Sequence, residues 1–131
     1  MHMTVKLGTV DFYHAMADQL NNDPEWAEKG KNLDYSMVYN FEAPLEGSFH
    51  ARFQGGKVFD VRDATPADVE SADFVISGSS DVWGGVFRKQ INPTVALTRG
   101  QLRVRGKMSQ LLKNMGAFQY VIVAMTRVDF E

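Results

Sequence analysis

The sequence predicts an α+β fold: a five-stranded, mostly antiparallel sheet with helices packed on one face. Three observations carry this. The apolar period is helical from Thr9 to about Asn21, changes to strict alternation between Met37 and Arg62, and turns helical again after Ser80. Breaks rich in Gly or Pro separate the alternating runs, as tight hairpins require. The 131 residues, 44% hydrophobic and 23% charged, suffice for one core, and residues 1–131 are read as one domain.

Taken in order, Phe12, Ala15, Met16 and Leu20 recur at helical spacing behind Thr9 and Asp11, giving a first amphipathic helix. Asp23-Pro24 opens a second, short helix ending near Gly30, an oxygen-bearing cap followed by a proline whose missing N–H costs nothing there. Met37, Tyr39 and Phe41 then share one face of a strand. Phe49, Ala51 and Phe53 share one face of the next, alternating with Ser48, His50 and Arg52. Ala43-Pro44-Leu45-Glu46-Gly47 and Gln54-Gly55-Gly56-Lys57 are the turns on either side of that second strand. A third strand runs from Val58 to Arg62, and an acidic link containing Pro66 leads to a fourth, Ala72 to Ser77.

Ser80-Asp81 is read as the cap of a helix whose Val82, Trp83, Val86 and Phe87 form one stripe. Asn92-Pro93 caps another, through Val95, Ala96 and Leu97, which Gly100 stops. Gln101 to Arg105 alternates Leu102 and Val104 inward with Gln101, Arg103 and Arg105 outward. Gly106 turns this strand into a helix carrying Met108, Leu111, Leu112 and Met115, which Gly116 breaks. Ala117 to Met125 places Phe118, Val121, Ile122 and Met125 on one helical face, although its Val and Ile content also suits a strand. The helix is preferred.

Composition excludes much chemistry. With no Cys, disulfides, thiolate metal sites and Cys nucleophiles are all removed. The longest apolar run, Tyr120 to Met125, is far shorter than the roughly 20 residues that span a bilayer. The start, Met1-His2-Met3, lacks the features of a signal peptide, and a cytoplasmic location is expected. His50 is placed on the solvent face by alternation, without the positioned partner and concave site that a general base needs. No His or carboxylate cluster has metal-ligand spacing, and neither Gly55-Gly56-Lys57 nor Gly84-Gly85 carries the rest of a phosphate loop. Catalytic residues, metals and cofactors are therefore not expected, nor is nucleic-acid binding at a pI near 5.9 without interleaved exposed aromatics.

Charge is segregated along the chain. Residues 1–87 hold six Lys or Arg against fourteen Asp or Glu, whereas residues 88–131 hold eight against two. If the halves also separate in space, the basic side faces an anionic membrane or an acidic partner; the plainer reading is a solvated surface. The apolar supply is rich as well, with nine Phe and seven Met. Flexible Met108, Met115 and Met125 suit either an irregular core or an adaptable apolar cavity.

The stretch from Ala72 to Phe118 carries a more specific signal. Ala-Asp-Phe-Val-Ile-Ser-Gly-Ser-Ser-Asp-Val-Trp is followed, after an interval, by Asn92-Pro93-Thr94-Val95-Ala96-Leu97. Gly100-Gln101-Leu102-Arg103-Val104-Arg105-Gly106-Lys107-Met108 and Leu111-Leu112-Lys113 complete it. In order and spacing this resembles the sterol carrier protein 2 family. The resemblance implies a five-stranded sheet covered by helices, with an apolar tunnel between them that holds sterols, fatty acids or fatty acyl-CoA without covalent chemistry. Carried over by position, it implies a lining of Trp83, Val86, Phe87, Leu97, Leu102, Val104, Met108, Leu111, Leu112, Met115, Phe118 and Ile122. The last segment, with Val121, Ile122 and Met125, would be a lid. Arg99, Arg103 or Lys107 would meet an anionic head, and Arg88-Lys89 makes the preceding interval basic enough for a head group or a membrane contact.

The chain departs from peroxisomal members of that family by ending Val128-Asp129-Phe130-Glu131, so a bacterial or archaeal cytoplasm is the expectation. The expected function is thus a non-catalytic carrier of a small hydrophobic ligand, with transient membrane contact and a homodimer as further possibilities. The alternative is a dimerisation or interaction module whose tunnel is filled with side chains.

Overall fold

The computed structural model describes residues 5–130, so the start Met1-His2-Met3 and Glu131 of the terminal tetrapeptide lie outside the described residues. The order is α1 (Val10–Asn21), α2 (Pro24–Lys29), β1 (Asp34–Glu42), β2 (Gly47–Gln54), β3 (Lys57–Asp63), α3 (Pro66–Ser71), β4 (Phe74–Ser79), α4 (Ser80–Phe87), α5 (Pro93–Thr98), β5 (Arg103–Gly106), α6 (Met108–Lys113) and α7 (Met115–Thr126). The five strands form one sheet in the order β3-β2-β1-β4-β5. Only β1 and β4 pair in parallel, because the chain crosses from the β3 edge to the middle of the sheet before β4 begins.

Alternation fixes the inner face. Tyr35, Met37, Tyr39 and Phe41 of β1, Phe49, Ala51 and Phe53 of β2 and Phe74 and Ile76 of β4 are buried against α1, α4 and α7. Stacked rings dominate this layer, with Tyr13 of α1 against Tyr39 and Phe49, and Trp83 of α4 against Phe41. The β2–β3 turn needs both of its glycines. Gly55 and Gly56 have positive φ, and a Cβ on Gly56 would lie 2.8 Å from the Ala27 carbonyl oxygen of α2.

The outer face is covered too, by a helix where the sequence reading expects an acidic link. Thr65 accepts from Asp68 N while Asp68 accepts from Thr65 N, a reciprocal cap that starts α3 with Pro66 in its first turn. Arg62 of β3 binds Asp68, and Arg105 of β5 binds the Val69 carbonyl, so arginines from the two sheet edges hold α3 over the fully buried Val38. The Arg62 guanidinium holds the Asp68 carboxyl well below the usual carboxylate range.

This cover corrects the placement of His50. It is 6% exposed rather than solvent-facing, and its Nδ1 lies 2.8 Å from the Asp60 carbonyl oxygen, which can only accept, so Nδ1 carries the proton. Asp60 reaches that position with a positive φ, beside the register shift between His50 and Arg52.

Other boundaries differ by one or two residues. Ser79, not Ser80, caps α4 by accepting from Val82 N, and Ser80 instead accepts from Leu45 N. Gly116 lies inside α7. The break comes at Asn114, whose backbone leaves the helical region and whose Nδ2 donates to the Gln110 carbonyl. Among the described residues no helix is long and apolar enough to cross a membrane, and no three His, Asp or Glu converge as metal ligands.

Candidate ligand-binding cavity

Between the β1-β4-β5 part of the sheet and helices α5, α6 and α7 lies a cavity of about 260 Å³. Its floor is the inward-facing side of the strands: Tyr35, Met37 and Tyr39 from β1, Ile76 from β4 and Val104 from β5. Pro93, Thr94 and Leu97 close one side, Leu111 of α6 another, and Met115, Phe118, Gln119, Val121 and Ile122 of α7 form the roof. β5 is only four residues long, and α5 and α6 only six each. Short elements span this end of the sheet without filling the space beneath them.

Outside this space is an open groove of about 760 Å³, lined by Val86, the loop residues Lys89 to Asn92, the start of α5, and Gln119, Ile122, Val123, Thr126 and Arg127. Pro93, Thr94, Gln119 and Ile122 line both spaces and so stand between them. Local structure fixes this boundary. Lys89 adopts a positive φ, the next two backbone N–H groups both donate to the Gly85 carbonyl, and Asn92 caps α5 through Thr94 N and Val95 N. The groove thereby presents the exposed cations Lys89 and Arg127, with Gln90, Asn92, Thr94 and Gln119, on the far side of the wall it shares with an apolar interior.

The floor has its own electrostatics. Burial pushes the phenols of Tyr35 and Tyr39 well above their usual value, so both stay neutral. The Tyr35 hydroxyl is buried with no hydrogen-bond partner among the described residues, a site of net cost.

An apolar interior that shares a wall with a polar, cationic groove suits an amphiphile, and the comparisons with known proteins agree in kind. The family model of the SCP-2 sterol transfer family matches residues 5–119. The chain belongs to that family. A crystal structure of sterol carrier protein 2 superposes with a TM-score of 0.81 at 20% identity, covering 94% of this chain and 99% of the other. A conserved hypothetical protein of Thermus thermophilus, described as possibly a sterol carrier protein, gives 0.78 at 18% identity, covering 99% and 94%. Sterol carrier protein 2 from Yarrowia lipolytica, in its apo form, gives 0.61 at 17%, covering 96% and 97%. At these identities the likeness is one of fold. No curated protein sequence matches the chain significantly. Membership in the SCP-2 family supports lipid binding or transfer as the coarse role.

Within this SCP-2 fold the residues assigned to the lining by sequence divide in two. Leu97, Val104, Leu111, Met115, Phe118 and Ile122 face the cavity. Trp83, Phe87 and Leu102 do not. Trp83 stacks on Phe41 and donates to the Asn40 carbonyl, Phe87 stacks on Phe12, and Leu102 fills the space left by the missing side chain of Gly78. Val86 is buried beside the outer groove instead. Met108 and Leu112 point to solvent, 47% and 64% exposed, because α6 is a single short helix whose inner face is taken by Leu111. Of the lid residues, Val121 and Ile122 roof the cavity and Met125 is in the core.

The cations expected at a head group lie away from both spaces. Arg103 pairs with Glu42, and Arg99 and Lys107 line neither space, whereas Lys89 of the basic Arg88-Lys89 interval lines the groove. The floor residues Tyr35, Met37, Tyr39 and Ile76 are lining that sequence reasoning missed. Their inward alternation is visible, but nothing in it distinguishes a strand face under a cavity from one under a packed helix.

Proposed function

We propose that the protein carries one single-chain amphiphile, with its chain in the apolar cavity and its polar head in the Lys89–Arg127 groove. The observation that carries this is that Pro93, Thr94, Gln119 and Ile122 line both spaces, so one thin wall lies between the apolar cavity and the cationic groove. Each methylene moved out of water into the interior contributes about 0.8 kcal/mol, so chain burial drives binding. The groove adds selectivity, because Lys89 and Arg127 favour an anionic head such as that of a fatty acid or fatty acyl-CoA over a neutral one. The role is transport without covalent chemistry: the polar groups on the lining are two neutral phenols, a threonine and a glutamine, suited to holding a ligand rather than reacting with it. The interaction-module alternative needs the interior filled by side chains, and the open volume favours the carrier. A cytoplasmic site of action accords with the absence of cysteine.

The test is displacement of a fluorescent fatty acid by unlabelled fatty acid, fatty alcohol of equal chain length, acyl-CoA and sterol. The fatty acid is expected to displace at lower concentration than the alcohol. Leu111→Lys, which puts an unpaired ammonium into the cavity wall, is expected to abolish binding. Unchanged affinity in a Leu111→Lys variant with native circular dichroism would overturn the assignment.

A further inference from the structure

From Val82 to Val128 the chain contains no Asp or Glu and eight Lys or Arg. This stretch builds α4 beyond its first turn, α5, β5, α6 and α7, so the wall of the cavity carries the basic half of the protein. Apart from Lys89 and Arg127, which line the groove, its cations fall into two groups. Arg103 and Arg105 are engaged on the outer face of the sheet, by Glu42 and by the Val69 carbonyl, and Arg88 lies over the Phe130 ring. Arg99, Lys107 and Lys113 are exposed, and among the described residues none has a carboxylate partner.

Two of these free cations bracket an exposed apolar pair. Met108 and Leu112 sit one turn apart on α6, so they share a face, and Lys107 and Lys113 stand directly beside them. Leu111, on the adjoining side of the same helix, lines the cavity. Arg99 closes α5 two residues beyond Leu97, which meets the same cavity. The Asp73 carboxylate, just before β4, is engaged by Ser36 N.

We propose that α6 is a membrane-docking element: Met108 and Leu112 enter the boundary between head groups and chains of an anionic bilayer while Lys107, Lys113 and Arg99 hold the lipid head groups. The pattern has the required parts, long flexible apolar side chains on one helix face with unpaired lysines alongside, whose stems run along the apolar surface and whose charges stay in water. An anionic bilayer fits better than an acidic protein, because the apolar pair projects from a single turn and offers no concave surface to a folded partner. Docking in this orientation sets the cavity wall, through Leu111, against the membrane. α6 has no side-chain cap at its start and is bounded by Gly106 and the Asn114 break, so it is an element of low local stability.

The experiment is co-sedimentation with phosphatidylcholine vesicles, with and without phosphatidylserine, at low and moderate salt. The full chain is expected to sediment with the phosphatidylserine vesicles at low salt and to be released as salt rises. Lys107→Gln with Lys113→Gln is expected to weaken this binding by about thirtyfold, roughly fivefold per cation. Leu112→Ser is expected to weaken it with circular dichroism unchanged. Lys31→Gln with Lys57→Gln, the same change of charge away from this face, is expected to leave it intact. An equal loss in the Lys31/Lys57 variant, no binding to anionic vesicles at low salt, or an effect of Leu112→Ser on mass in solution rather than on sedimentation would overturn the proposal. The assay needs no ligand in the cavity, so Leu111→Lys separates the two readings: it is expected to lose fatty acid and still sediment.

Discussion

The phenol of Tyr120 in α7 donates to Oδ2 of Asp23, whose Oδ1 accepts from Glu25 N and caps α2. One carboxylate therefore ties the roof of the cavity to the helix that packs on the β2–β3 turn. The Tyr120 hydrogen bond is the largest cause of the low Asp23 pKa, and the same bond raises that of Tyr120. A depressed carboxylate contributes stability that is present above its unfolded value and lost as pH falls through its folded one. A raised phenol contributes stability that is present below about pH 10 and lost as pH rises through its folded value.

Tyr120→Phe is accordingly expected to lower Tm at pH 7, with the gap to the parent protein closing below about pH 4 and again above about pH 10. Thermal melts across pH check this. A gap independent of pH would mean that Tyr120 acts through packing alone.

Leu111 and Leu112 are neighbours with opposite environments, 6% and 64% exposed. Leu111→Ala enlarges the cavity and is expected to cost about 2–4 kcal/mol, whereas Leu112→Ala is expected within about 0.5 kcal/mol of the parent. Urea unfolding of both variants measures the contrast, and equal losses would contradict the orientation of α6.

Tyr35→Phe removes a buried hydroxyl that has no partner among the described residues. It is expected to stabilise the protein by about 1 kcal/mol at pH 7. Because burial raises the Tyr35 pKa, the parent loses stability above about pH 10 as that phenol is forced to ionise, and the variant is expected to resist alkaline unfolding better. A destabilised variant would show that the hydroxyl has a partner in solution.

Lys89→Gln removes one groove cation without touching the interior. Affinity for a fatty acid is expected to fall by about two- to fivefold, in keeping with an exposed charge pair, while affinity for the alcohol of equal length stays constant. Isothermal titration of both ligands reads the difference.

The elements legible in sequence are those with a local cause. Asp23-Pro24 and Asn92-Pro93 announce caps, Gly55-Gly56 a turn, and Met37-Tyr39-Phe41 an inward strand face, and each is where the pattern puts it. Thr65-Pro66-Ala67-Asp68 announces α3 equally well, but acidic surroundings make the segment read as a link. His50 is misplaced by alternation, which assigns a side chain to a face but does not say whether something covers that face. The cavity lies further from view, since whether an apolar residue meets a neighbour or an empty space depends on how far short elements reach. Met108, Leu111 and Leu112 show this, as period alone makes all three inward candidates and a six-residue helix buries one.

Native mass spectrometry of the freshly purified protein, followed by organic extraction and identification of what is released, tests the carrier reading most directly. The account predicts a single-chain anionic lipid at near-unit occupancy on a folded chain, lost in Leu111→Lys. A bare chain that also fails to take up added fatty acid or acyl-CoA would contradict it.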